Sequence, residues 1–194
     1  MSQCGRISAN VLIDCDDPMI GGTKDLLYLI NIDDWLDATI TRNGSNSQII
    51  EGVTLPSSTV AYKFEGKNNS LEPKSMLAKG RYYELYDHEI VFKAFNNSPT
   101  VKQQIEALAK GKYVAIVENN HQGDEGNAAF EVYGDESGLE LAESERIVTD
   151  TDSQGAYTLT LRTSEYAREG HLPATFFLTD YATTKALVVG LLTA

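Results

Sequence analysis

The spacing of the apolar residues constrains this chain more than any other feature. From Thr59 to Glu65, Val60, Tyr62 and Phe64 fall on one side and Thr59, Ala61, Lys63 and Glu65 on the other, the two-residue repeat of a half-buried strand. Ala156 to Arg162 repeats it, with Tyr157, Leu159 and Leu161 against Thr158, Thr160 and Arg162. Leu36 to Ile40 alternates in the same way after a turn at Asp33, Asp34 and Trp35. Leu26 to Ile32 and Lys112 to Val117 are apolar at successive positions, which predicts strands buried on both faces. Ala128 to Tyr133, Thr175 to Leu178 and Ala186 to Leu192 complete the strand set, although so short an apolar run as the last also suits a helix. Asn43, Gly44, Ser45 and Asn46 supply turn chemistry for a hairpin between two of these runs.

Three further segments stand out. Tyr82 to Phe95 is the longest strand candidate, with Tyr82, Glu84, Tyr86, His88, Ile90 and Phe92 on one face; neither face is uniformly apolar. Gly66 to Gly80, with Asn68, Asn69, Ser70, Pro73 and Lys74, reads as a long exposed loop. A helix is expected from Pro99 to Lys110: Ser98 suits the N-cap, Pro99 the first turn, and Val101, Ile105 and Leu108 form one apolar stripe. Roughly nine to eleven strands and one helix predict a mainly β domain, a sandwich or small barrel with one flanking helix at about residues 99–110.

The chain has 194 residues, and its 28 acidic side chains against 16 basic ones give a net charge of −12. One domain of this size buries a core without staples. Such acidity argues against gripping a phosphate backbone, because that affinity comes from Lys and Arg displacing counterions. The first residues hold no apolar run of the roughly 7–15 residues a signal peptide needs, and no run reaches the roughly 20 that span a bilayer, so a soluble protein made in the cytoplasm and no membrane partner are expected. Cys4 and Cys15 stand in no metal-binding spacing.

No catalytic, cofactor or metal site is expected from motifs. Asp150 to Gly155 imitates the first half of a calcium loop, but the position of the closing carboxylate falls on Leu161. His88, His121 and His171 lie far apart, and no nucleophile elbow, phosphate loop or dinucleotide motif is present. Acidic pairs such as Asp33 with Asp34, Asp124 with Glu125, and Glu143 with Glu145 are ordinary in so anionic a chain.

The order of elements carries a resemblance. A long loop after an early hairpin is followed by a Tyr-rich strand ending in Phe92-Lys93-Ala94-Phe95 and by one amphipathic helix. Then come Gly111-Lys112-Tyr113-Val114-Ala115, Phe130-Glu131-Val132-Tyr133, Gly138-Leu139-Glu140-Leu141 and Gly155-Ala156-Tyr157-Thr158-Leu159. Over roughly residues 50–194 this order resembles tail tube proteins of long-tailed bacteriophages. The resemblance implies a virion structural protein without enzymatic activity, whose hexameric rings stack into a hollow tube for genome delivery. It implies an N-terminal arm over residues 1–22, a β-sandwich domain over 23–194 and an extended loop at about 66–80. Lys67, Asn68, Asn69, Glu72 and Lys74 become candidate ring-stacking residues, and Tyr82, Tyr83, Tyr86 and Phe92 a candidate inter-subunit strand. The implied partners are further copies of the chain, a tape-measure protein and other tail proteins, with DNA passing a like-charged lumen without specific binding. Other readings are a tail-completion or connector ring subunit, and a glycan- or protein-binding β-sandwich using Tyr82, Tyr83 and Tyr86.

Overall fold

The computed structural model describes residues 7, 9–13, 15, 17–80 and 83–193. The chain is mainly β. Its strands are β1 (Thr23–Asn31), β2 (Thr39–Arg42), β3 (Ile49–Thr54), β4 (Tyr62–Glu65), β5 (Leu71–Lys79), β6 (Glu84–Ala94), β7 (Lys112–Asn119), β8 (Phe130–Tyr133), β9 (Leu139–Arg146), β10 (Tyr157–Thr163) and β11 (Ala174–Phe176). Three helices, α1 (Ile32–Leu36), α2 (Pro99–Leu108) and α3 (Tyr181–Gly190), pack beside them.

The strands form one branched sheet with β7 at its centre. β1 lies along one edge of β7, while β8 and β9 share the other: β8 takes Ala115 to Glu118, and β9 takes only Lys112 and Tyr113. Beyond β8 the sheet runs through β11 and β3 to β2; beyond β9 it runs through β10 and β6 to β5. β4 borders β1, and every pair is antiparallel except β11 with β3.

Two cores flank the central pair, as the continuous apolar runs require. Leu27 and Leu29 of β1 and Tyr113, Ala115 and Val117 of β7 face one core, shared with Ile90, Phe92, Leu159 and Leu161. Their alternates Tyr28, Ile30, Val114 and Ile116 face the other, shared with Trp35, Ile50, Phe130 and Phe176. The first core is wrapped by the β9, β10, β6 and β5 branch, which curls until the Thr23 hydroxyl donates to the Leu71 carbonyl at 3.3 Å. α2 covers it: Ser98 Oγ accepts from Val101 N at 3.3 Å, and Ile105 and Leu108 are buried. α3 closes the second core with Val188, and Leu191 just past its end joins it.

Several expectations need correction. Asp33 to Trp35 is a short helix, not a turn, because buried Trp35 anchors it. The strand expected from Thr59 begins only at Tyr62. Ala186 to Leu192 is not a strand: residues 186–190 belong to α3, whose carbonyls are satisfied within the helix. The extended loop at 66–80 is a tight turn followed by β5, which pairs with β6 at nine successive positions from Leu71–Phe92 to Lys79–Glu84. Flanking helices number three among the described residues instead of one.

Candidate functional site

The turn at Gly66 to Ser70 is fastened to β1. Gly66 N donates to Asp25 O at 2.8 Å and Asn69 N to Asp25 Oδ2 at 2.9 Å, while Asn68 and Asn69 take left-handed backbone angles. Lys67, Asn68 and Asn69 are exposed on this turn; Glu72 and Lys74 are exposed on β5. β5 is the end of its branch, so its outer edge has no strand partner among the described residues. Past Lys74 the β5 and β6 hairpin outruns β10, which pairs β6 only from Glu89 to Ala94. Met76, Leu77 and Tyr83 are exposed there, Leu77 at 51% and Tyr83 at 75%.

The candidate inter-subunit strand divides. Tyr83 is exposed and Tyr86 half-buried, whereas Tyr82 lies outside the described residues. Phe92 is committed to the chain's own core, edge-on to Phe64 with ring centroids 5.4 Å apart, and cannot face a neighbour. Alternation along β6 enforces this: Ile90 and Phe92 point inward, so Glu89, Val91 and Lys93 point outward.

The arm is anchored at its base and open beyond it. Asn120 N donates to Gly22 O at 2.9 Å and Asn120 Nδ2 to Gly21 O at 3.4 Å. Upstream, Ile7, Val11, Leu12, Ile13 and Met19 are each more than 80% exposed. An open groove of about 500 Å³ at the base is lined by Met19, Ile20, Leu71, Pro73, His121 and Tyr133. Residues 1–6 of the arm, Cys4 among them, and residues 8, 14 and 16 lie outside the described residues.

A buried polar cluster, absent from the sequence reading, sits where β8 and β9 part. Gly134, at φ +72°, starts the connecting loop, and Gly138 N closes it on Gly134 O at 3.0 Å. Asp135 and Glu136 ride on this loop. Asp135 Oδ2 meets Arg42 Nη2 at 2.6 Å, and its carbonyl accepts from Trp35 Nε1 at 3.1 Å. Glu169 is brought in by a bridge to β6, Tyr86 N donating to Glu169 O at 2.8 Å and Glu169 N to Tyr86 O at 3.0 Å. Its carboxylate accepts from Glu136 N at 3.1 Å and Ser137 N at 3.0 Å. Burial pushes the Glu169 carboxyl up, and those two N–H groups pull against it.

His171 and His88 complete the cluster. His171 Nδ1 lies 2.6 Å from Leu172 O, and a carbonyl only accepts, so that nitrogen carries hydrogen and Nε2 turns towards Asp135 Oδ1 at 3.4 Å and Glu136 Oε1 at 3.6 Å. His88 is fully buried on β6; its Nε2 donates to His171 O at 3.1 Å and its Nδ1 accepts from Gly134 N at 3.1 Å. Burial pushes this imidazole down to about 4, in keeping with the neutral ring those two bonds require.

A second buried acid belongs to the fold. Glu118 Oε1 accepts from Tyr181 Oη at 2.6 Å and Lys185 Nζ at 3.1 Å, tying α3 to β7. The sequence that imitates a calcium loop is a polar turn before β10: the Asp150 carboxylate accepts from Asp152 N and Ser153 N, and hydrogen bonding within the turn holds it below the usual carboxylate range.

Comparison with known family models, with curated proteins and with solved structures finds no match. No helix among the described residues is long and apolar enough to cross a membrane.

Proposed function

We propose that this chain is a self-assembling structural subunit of a virion, the major tail tube protein of a long-tailed phage, which forms stacked rings through which the genome passes. The observation that carries the reading is the pair of uncovered apolar surfaces, Ile7, Val11, Leu12, Ile13 and Met19 of the arm and the β5 and β6 hairpin, joined to a strand edge at β5 that is unpaired among the described residues. A monomer leaves such an edge as a template for pairing and such apolar side chains in water; neighbouring copies remove both penalties.

Charge supports the same reading. On the outward face of β5, β6, β10 and β9 lie Glu72, Glu89, Glu140, Glu143 and Glu145 against Lys74, Lys93 and Arg162. Arg162 stands 3.0 Å from Glu89 and Lys74 stands 3.3 Å from it, so part of this charge is spent within the sheet. The excess is acidic, which suits a wall that DNA slides past. As a platform for a glycan the tyrosines are less suited, because only Tyr83 of those described is open.

Electron microscopy of the purified protein tests the proposal. Rings or tubes are expected at raised concentration, and added salt is expected to favour them, since a chain of charge −12 repels its copies. A species that stays monomeric across concentration and salt overturns the reading.

A further inference from the structure

Asp135, Glu169 and His171 come from two segments more than thirty residues apart, yet a donor atom of each lies within 4.8 Å of the others. Asp135 and Glu169 are buried and His171 half-buried. Acidic residues gathered at a surface need no ion, but this group differs in a specific atom. Asp135 Oδ1 is buried on a wholly inaccessible carboxylate, yet it accepts no hydrogen bond among the described residues. His171 Nε2 lies 3.4 Å from it. Arg42, the cation that does reach Asp135, is engaged on the other oxygen, Oδ2.

The tautomer sharpens the mismatch. With the Nδ1 hydrogen directed at Leu172 O, a neutral His171 presents the lone pair of Nε2 to the lone pairs of Asp135 Oδ1 and Glu136 Oε1. Three acceptors facing one another repel unless a positive centre lies between them. One separation in the group matches such a centre. Ligands about 2.0–2.1 Å from a tetrahedral ion stand about 3.3–3.4 Å apart, the separation of Nε2 from Oδ1. Asp135, Glu136 and Glu169 set three carboxyl groups against the single guanidinium of Arg42, a donor set suited to a divalent cation. An imidazole among the donors favours the zinc class over magnesium or calcium.

The surroundings have the form of a supporting shell. His88 holds the His171 carbonyl and the Gly134 N–H, Leu172 O fixes the ligand tautomer, and backbone N–H groups of Glu136 and Ser137 orient Glu169. Glu136 is half-exposed and gives the site access to solvent. We infer that Asp135, Glu169 and His171, with Glu136 on the solvent side, bind a divalent metal ion of the zinc class that pins the loop between β8 and β9 to the segment before β11. The site lies within one chain and owes nothing to assembly.

Full-length protein stripped with a chelator and titrated with Zn²⁺ tests this. About one equivalent is expected to bind per chain with a rise in Tm, and folded His171→Ala is expected to lose at least about tenfold in affinity. A chain carrying Cys4→Ser and Cys15→Ser is expected to bind as the parent does. X-ray absorption of the zinc-loaded parent, which needs no variant, is expected to show one imidazole nitrogen with oxygen ligands. No uptake of Zn²⁺, sulfur ligation, or binding unchanged in folded His171→Ala overturns the site.

Discussion

His88 Nε2 donates to the carbonyl of His171 at 3.1 Å, from a strand the sequence places 83 residues away. The opposite nitrogen takes the Gly134 N–H. One ring thus fixes both backbones that carry the polar cluster, and it does so from full burial. His88→Ala removes both partners and leaves a cavity against Tyr133, whose ring meets His88 edge-on. A loss of about 3 kcal/mol is expected, read as a lower denaturant midpoint at unchanged m-value.

Gly134 has little room for a side chain. Its φ is +72°, and an added Cβ lies 2.8 Å from Leu139 Cγ in the core. Gly134→Ala is expected to cost about 1–3 kcal/mol in thermal unfolding, whereas Gly44→Ala, with nothing near its Cβ, is expected to stay within about 0.5 kcal/mol.

Lys185 shields a carboxylate that has no access to water. Lys185→Met leaves Glu118 with Tyr181 as its hydrogen-bond donor, and a loss of about 2 kcal/mol is expected because the cation is itself partly solvated. Adding Glu118→Gln removes the stranded charge and is expected to recover part of that loss, which a double-mutant cycle measures.

Asp180 caps α3 and carries a pH dependence. Its carboxylate accepts from Thr183 N at 2.9 Å and Thr183 Oγ1 at 2.7 Å, and these bonds hold its carboxyl below the ordinary range. A depressed carboxylate contributes stability above its unfolded pKa, which is lost as pH falls through the folded value. Asp180→Asn is therefore expected to be less stable than the parent at neutral pH, with the difference closing in acid; denaturant titrations across pH check it.

Leu77 tests assembly apart from folding. It is 51% exposed on the hairpin, so Leu77→Glu is expected to leave the unfolding midpoint within about 0.5 kcal/mol of the parent. The same change is expected to abolish rings in electron microscopy, because it sets a charge into an interface that neighbouring copies would desolvate.

Where residues declare their surroundings by period, the sequence was readable. β1, β7 and β10 follow their apolar spacing, and Ser98 with Pro99 marks α2. β5 escaped because Pro73, Lys74 and Ser75 look like loop; at a sheet edge a missing N–H costs little when one side of the strand has no partner. The short Leu and Val run of α3 suits strand and helix alike, and Asp180 as a cap for Thr183 is the signal that decides for the helix. The polar cluster had no signal along the chain. Its members meet only because Tyr86 bridges Glu169 and His88 reaches His171, both consequences of how β6 is placed.

The β1 and β7 pair, buried on both faces, has a thermodynamic consequence. Neither core has a wall of its own on that side, so melting one strips the lining from the other. The two branches are thus expected to denature as a single cooperative unit, with calorimetric and van't Hoff enthalpies in agreement.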